Sequence, residues 1–356
     1  MSKSIGIDLG TTNSVVAIKG VAVEIIKNNE DELITPSCVA LKKKKLMGSL
    51  RKPEYIVGKN ALDWIKQDPA NTVTAIKRLM GRSFDNSEVQ KIVADKRQLI
   101  NIARQTRGTE NSLVIILEDN EYTPEQISSE ILKKLCADAN AYLKDEVEYA
   151  VITVPAYFND KQKHATRTAA ALAGLKVQRL LPEPTAAAIS FGVDQIKESD
   201  ISTIIVFDFG GGTFDLSVLT ISGGQFLEQG KGGNMWLGGE DVDRELVDYV
   251  LDATAKEHEI EDIYGLIDRQ EENGRYRFLG EMKTAVEQAK IRLSFEQAAY
   301  VEIPGLLKDE DGDLLDVDVT LTRTQFETLI QPVVDTAMEL TRKLLEDTHM
   351  STDLID

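Results

Sequence analysis

One local pattern occurs twice in this chain, and it limits the folds open to it. Ile5-Gly6-Ile7-Asp8-Leu9-Gly10-Thr11-Thr12-Asn13-Ser14-Val15-Val16 is an apolar strand, an Asp, a Gly/Thr-rich turn and a second apolar strand. Ile205 to Val218 repeats that order, with Asp208 at the strand end and Gly210-Gly211-Gly212-Thr213 in the turn. Each copy predicts a β-hairpin whose tight turn exposes backbone N–H groups and hydroxyls. Glycine lets the backbone come close to a ligand, and outward donors suit phosphate oxygens. An Asp at each strand end can hold a divalent cation, directly or through water. Two such hairpins facing each other can grip a nucleoside triphosphate from both sides. The plain alternative is two ordinary hairpins, and the repetition argues against it.

Composition narrows the rest. A chain of 356 residues exceeds the roughly 250–300 residues at which one core tends to split. Its net charge of −18 disfavours nonspecific nucleic-acid binding. The run Lys42-Lys43-Lys44-Lys45 has no aromatic neighbours for base stacking and reads as a solvated loop. Cys38 and Cys136 form no C-x-x-C pair, and His164, His258 and His349 stand far apart, so a zinc or other His-based metal site is not expected. There is no signal peptide and no membrane-length apolar run, which points to a soluble, reducing, intracellular setting. Neither a Walker A motif nor a Gly-x-Gly-x-x-Gly between strand and helix occurs, which weakens P-loop and Rossmann readings.

Strands and helices alternate along the chain, which argues for an α/β protein. Thr123-Pro124-Glu125-Gln126 predicts a helix start with a capping box, and Ile127, Ile131, Leu135 and Ala139 give it one buried stripe beside Cys136. A helical stretch is expected from Asp63 to Gly81, interrupted at Asp68-Pro69. Short strands are expected at Val151–Val154 and Val177–Leu181. Further helices are expected from Asn159 or Asp160 to Gly174, from Pro184, over Asp241–Ala255, near Glu281–Leu293 and from Thr322. Pro332 should end or kink the last of these. Asp309-Glu310-Asp311-Gly312-Asp313 lacks EF-hand spacing and reads as a solvated hairpin turn.

Seven segments then occur in a fixed order: GIDLGTTNS (6–14), TPS (35–37), AIKRLMGR (75–82), VITVPAYFND (151–160), EPTAAA (183–188), VFDFGGGTFDLSVL (206–219) and LGGEDVD (237–243). Together they resemble the nucleotide-binding domain of the seventy-kilodalton heat-shock chaperones, most closely the bacterial DnaK type. The resemblance implies an actin-like ATPase fold, with two lobes around a nucleotide cleft and two subdomains in each lobe. Lobe I would be residues 1–196 and lobe II 197–356, with roughly 237–320 as its outer subdomain. It implies binding and hydrolysis of ATP to ADP, with Mg²⁺ and, as a further cation, K⁺. The setting implied is a cytoplasmic, monomeric stress-response chaperone served by a J-domain co-chaperone and a nucleotide-exchange factor, with no nucleic-acid or membrane partner.

The resemblance also assigns roles. Gly10, Thr11, Thr12 and Asn13 match one phosphate loop, and Gly211, Gly212 and Thr213 the other. Asp8 and Asp208 match acids that hold Mg²⁺ through its water shell. Lys77 matches the lysine that positions the attacking water, and Glu183 a glutamate near the metal's water. Gly239 lies in a loop approaching the phosphates, and Glu287, Lys290 and Ser294 line the adenosine pocket on one helical face. Without the resemblance, Lys77 reads as a surface lysine, as Arg78 and Arg82 do, and Glu183 as a helix N-cap. Pro155 and Lys163 match an interdomain relay, where Lys163 replaces the usual Arg. Arg179 matches a J-domain contact, beside Pro182 in place of Asn. Gly233-Asn234-Met235-Trp236 replaces the family's Gly-Asp-Thr-His.

The family continues past Asp356 with a core strand, a Gly-Gly-x-x-Arg adenosine motif, an apolar linker and a peptide-binding domain that takes unfolded polypeptides. The 356 residues alone are therefore expected to bind ATP more weakly and less selectively. An actin-like filament protein and a sugar kinase share the hairpins and are the alternatives.

Overall fold

The computed structural model describes residues 3–42, 54–108, 111–191, 201–223 and 225–356. Lys43, Lys44 and Lys45 of the basic run and the expected lobe boundary at 196/197 lie outside them.

The first hairpin forms as expected. Strands β1 (Lys3–Leu9) and β2 (Asn13–Lys19) pair antiparallel with Asp8 opposite Val15 and Leu9 opposite Ser14. Beyond them come β3 (Val23–Ile25), β4 (Thr35–Pro36), β5 (Val39–Lys42), β6 (Glu54–Val57) and the helix α1 (Lys59–Trp64). The helical stretch expected over 63–81, interrupted at Asp68-Pro69, is broken further than that. Single 3₁₀ turns at Pro69–Asn71 and Ile76–Leu79 flank β7 (Thr72–Val73), which pairs with β5. Local chemistry explains the break: the Thr72 hydroxyl and Asn71 amide both bond back to Asp68, and β-branched Thr72-Val73 favour the ladder.

Next come α2 (Ser87–Ala94), β8 (Asn101–Arg104), β9 (Leu113–Leu117), β10 (Asn120–Tyr122) and α3 (Pro124–Leu143). The α3 capping box joins Thr123 to Gln126, and Ile127, Ile131, Leu135 and Ala139 are all buried. Strand β11 (Val147–Val154), helix α4 (Asp160–Leu172), strand β12 (Lys176–Pro182) and helix α5 (Glu183–Ser190) complete the N-terminal half. Asn159, rather than Asp160, caps α4, through a capping box with Gln162. The main sheet runs β12-β11-β1-β2-β3, with β4 on β2. β1 and β11 pair in parallel at its centre, with Ile5, Ile7, Ala150 and Ile152 buried, and β12 pairs in parallel with β11 at the exposed edge.

The C-terminal half opens with the second hairpin, β13 (Ile201–Phe209) and β14 (Phe214–Ser222), with Asp208 opposite Asp215. A third strand that the sequence pattern did not predict, β15 (Gln225–Asn234), pairs with β14. Helices α6 (Gly239–Glu257), α7 (Ile263–Asp268) and α8 (Glu272–Leu293), the hairpin β16 (Ala298–Lys308)–β17 (Leu314–Thr322) and the helix α9 (Arg323–Asp347) follow. Pro332 does not end α9. The carbonyl it orphans belongs to Thr328, an exposed residue, where water can satisfy it. In the 309–313 turn the Asp309 carboxylate accepts from the amides of Asp311 and Asp313, an Asx turn.

One apolar cluster sits inside the N-terminal half. A second joins the halves: Cys38, Ala40, Ala61, Ile65 and Leu99 pack with Leu246, Phe278, Leu279 and Met282. Ion pairs flank that seam, Lys66 with Glu281 at 3.0 Å and Arg97 with Asp248 at 2.7 Å. Among the described residues, no helix is long and apolar enough to cross a membrane.

Candidate functional site

The two hairpin turns face each other in direct contact. A Cβ on Gly211 would stand 1.8 Å from Thr12 Oγ1, and one on Gly212 would stand 2.4 Å from Thr11 Cγ2. Only glycine allows this approach. The 35–37 segment fixes the first turn: the Ser37 amide donates to the Thr12 carbonyl (2.7 Å) and its hydroxyl to the Gly10 carbonyl (2.8 Å). Start residues of α6 fix the second turn, with the Gly239 amide donating to the Gly210 carbonyl (3.0 Å) and the Glu240 amide to the Gly211 carbonyl (2.8 Å). Thr11 and Thr213 are buried between the turns, while Thr12 and Asn13 are exposed.

Acidic groups converge beside the turns around one cation. Lys77 is buried on the 3₁₀ turn Ile76–Leu79, entered through Ala75 in the left-handed conformation (φ 53°). Its Nζ lies 2.5 Å from Glu183 Oε1 and 6.0 Å from the centre of the Phe158 ring. Burial pushes Glu183 up to about 7; Lys77 opposes the rise and Asp8 adds to it. Asp208 is also raised, by burial first, with Lys77 opposing and Asp8 adding. Asp8 accepts a 2.6 Å hydrogen bond from the Thr153 hydroxyl.

Two residues here were not found by sequence reasoning. Asp215 is fully buried on β14, with no well-formed hydrogen bond to either carboxylate oxygen. Burial pushes it up to about 6, against the pull of Lys77 and of the nearby Ala156 and Tyr157 amides. An acid at an all-buried position of a strand was the available signal. Arg78 is no surface residue: it is 3% exposed. Its Nε donates to the Gly212 carbonyl (2.9 Å) and its Nη2 to Asp241 Oδ2 (2.6 Å). Arg82 likewise is half-buried, against the surface reading.

On α8, Lys290 Nζ pairs with Asp243 Oδ1 at 2.7 Å and donates to the Gly239 carbonyl at 3.3 Å. Burial raises Asp243 to about 6, with Lys290 opposing the shift. Glu287 lies one turn earlier on α8 and Ser294 is the exposed C-cap of that helix. Lys290 thus meets the second turn's supports, whereas Ser294 stands at the helix end. Pro155 is buried, Lys163 is half-buried on α4, and Arg179 is exposed on β12.

A family model described as "Hsp70 protein" matches residues 4–356. The chain belongs to the Hsp70 family. Its fold is therefore the actin-like ATPase fold, and the chain is an Hsp70 ATP-binding chaperone domain from a family of ATPases. Hsp70 proteins bind ATP and ADP with Mg²⁺ and work with J-domain proteins and nucleotide-exchange factors. The acids fit such a cation. Asp8, Glu183, Asp208 and Asp215 gather around Lys77, and burial first, then the neighbouring carboxylates, raise Glu183, Asp208 and Asp215 against the pull of that one lysine. Among the described residues, no three His, Cys, Asp or Glu side chains converge as direct ligands of a metal ion.

Proposed function

We propose that the two hairpin turns hold the triphosphate of ATP between them and that the acidic group beside them serves its hydrolysis. The observation that carries this reading is the face-to-face contact of Thr11-Thr12 with Gly211-Gly212 next to the buried Lys77–Glu183 pair. Backbone amides and hydroxyls of Gly10–Asn13 and Gly211–Thr213 donate to the phosphate oxygens, and Gly239 lines the same space. Glu287 and Lys290, with Ser294 at the helix end, form one wall of the adenosine site. Asp8 and Asp208 would hold Mg²⁺ through its water shell, with K⁺ a further cation, and bound cations would neutralise phosphate charge. Glu183 holds Lys77 Nζ in place, and Lys77 orients the attacking water. The water oxygen then bonds to the γ-phosphorus as the bond to the bridging oxygen breaks; ADP leaves with the bridging oxygen, and the water's protons stay on the released phosphate. Phosphoryl transfer asks the protein for positioning and charge, which these residues provide.

Each turn stands on its own sheet, which supports lobes at residues 1–196 and 197–356 with 237–320 as the outer part of the second. Two free cysteines, Cys38 and Cys136, suit a cytoplasmic, DnaK-like chaperone. Exposed Arg179 offers a contact for a J-domain.

Lys77→Ala tests the assignment. Loss of one well-placed electrostatic group costs on the order of 3–4 kcal/mol in the barrier, so single-turnover hydrolysis should fall at least a hundredfold while ATP still binds. Hydrolysis within twofold of wild type refutes the role of Lys77.

A further inference from the structure

Trp236 stands between β15 and α6, in the C-terminal half, yet its ring packs on the apolar core of the N-terminal half. Two guanidinium groups from that half lie near the ring: Arg82 at 5.4 Å and Arg78 at 5.8 Å from its centre. The Trp236 amide donates to Asn234 Oδ1 at 2.8 Å, which fixes the backbone that carries the ring. Arg78 is also held by the Gly212 carbonyl and Asp241. Each guanidinium also has one buried nitrogen with no hydrogen-bond partner, Nη1 of Arg78 and Nε of Arg82. A buried guanidinium edge without an acceptor is costly, and an aromatic face offsets part of that cost.

The two arginines bracket the turn that carries Lys77. Arg78 follows Lys77 directly, and Arg82 closes the segment after Gly81, whose positive φ of 64° and tight fit against the Gln162 backbone leave it no slack. Arg78 also holds the second phosphate turn through Gly212. The ring therefore fastens the support of Lys77, on one half, to the support of Gly212, on the other.

We propose that Trp236 is a positioning residue that clamps the two halves across the phosphate turns by stacking on Arg78 and Arg82. Parting the halves requires this stack to break, so Trp236 sets how long a nucleotide stays bound. This function rests on the ATP reading above; the clamp itself is a property of the protein without nucleotide. Among the described residues the polar and ring interactions of Trp236 run to Asn234, Arg78 and Arg82 rather than to Lys77 or the acids, so its loss should raise KM and speed release more than it lowers kcat.

The test has two arms. The chain contains two tryptophans, and Trp64→Phe leaves Trp236 as a single reporter. Trp64 Nε1 has no hydrogen-bond partner to lose. Without nucleotide, acrylamide should quench Trp236 far less than free tryptophan. Quenching equal to free tryptophan overturns the clamp whether or not the protein binds ATP. The second arm is a chase of a fluorescent ADP analogue from otherwise wild-type protein. Trp236→Leu should release nucleotide about tenfold faster, the factor that corresponds to roughly 1.4 kcal/mol. Trp236→Phe, which keeps an aromatic face, should stay within about twofold of wild type. Equal release by the Leu and Phe variants overturns the proposal, because packing volume alone would then account for the site. Arg82→Leu removes the cation and keeps the ring, and carries the same test if Trp236→Leu fails to fold: tenfold faster release supports the clamp and unchanged release overturns it. If wild type binds no nucleotide, the ATP reading falls and the quenching arm still decides the clamp.

Discussion

Gly238 offers a measurement of how tightly the second phosphate turn is seated. A Cβ at this position would stand 2.7 Å from the Gly210 carbonyl oxygen, 2.7 Å from the Gly212 nitrogen and 2.8 Å from the Gly211 carbonyl carbon. All three are backbone atoms of the turn, so no side chain can rotate away. The Gly238 backbone is extended (φ 175°) and accepts any residue, so the cost of Gly238→Ala comes only from this contact. Ordinary van der Waals separation begins at 3.4 Å, so α6 and the turn must part by roughly 0.7 Å, on the scale at which overpacking costs about 1–3 kcal/mol. The bonds from Gly239 to Gly210 and from Glu240 to Gly211 would lengthen with that shift. Misplacement of this order in a reacting geometry costs up to about a hundredfold in rate. Single-turnover ATP hydrolysis and chemical denaturation should therefore both show the change, with a larger effect on hydrolysis. Gly274→Ala is the matched control. Its Cβ would meet only Gln270 Cβ, at 4.0 Å, near the start of α8, so stability should hold or rise by up to about 1 kcal/mol. Wild-type hydrolysis and stability in Gly238→Ala would refute the claim that helix start and turn are in backbone contact.

Two further outcomes follow from the same reasoning. Asp243 titrates near 6 in the folded protein, against 3.8 for the ordinary group; a raised carboxylate favours folding at low pH and loses that advantage as pH rises through 6. Asp243→Asn, compared with wild type by denaturation at pH 4.5 and 7.5, should therefore gain about 2 kcal/mol relative to wild type on going to the higher pH, and a pH-independent difference would contradict the buried state of Asp243. Pro332→Ala should stabilise the protein by about 2 kcal/mol, since it restores a helix-interior hydrogen bond and loses only a modest unfolded-state term; no gain in denaturation midpoint would show that α9 is already relaxed around Pro332.

The hairpins and the best-capped helices were legible because their signals are local. The Asp-to-glycine turns appear in the spacing of a few residues, and the Thr123–Gln126 and Thr322–Gln325 boxes lie three residues apart. Segment 63–81 misled because its apolar residues serve several neighbours instead of one helix face: Ile65 joins the seam between the halves, while Val73, Ile76, Leu79 and Met80 join the N-terminal core. Strand β15 was missed because Gln225–Asn234 is mostly polar or glycine, and its order comes from pairing with buried β14. Arg78 read as exposed because its acceptors lie 134 and 163 residues away. A buried charge depends on such distant partners, which local pattern cannot supply. Asp215 was hidden for a similar reason, being an acid on a buried strand whose inward residues are mostly apolar.

The apolar cluster shared by the halves has a thermal consequence. Cys38, Ala40, Ala61, Ile65 and Leu99 on one side meet Leu246, Phe278 and Met282 on the other, so drawing the halves apart wets hydrocarbon that is dry when they meet. Wetting apolar surface raises heat capacity. The opening equilibrium must then curve with temperature, with its enthalpy growing on warming and shrinking on cooling. The seam is a temperature-graded closure, and its resistance to opening will not extrapolate along a straight van't Hoff line.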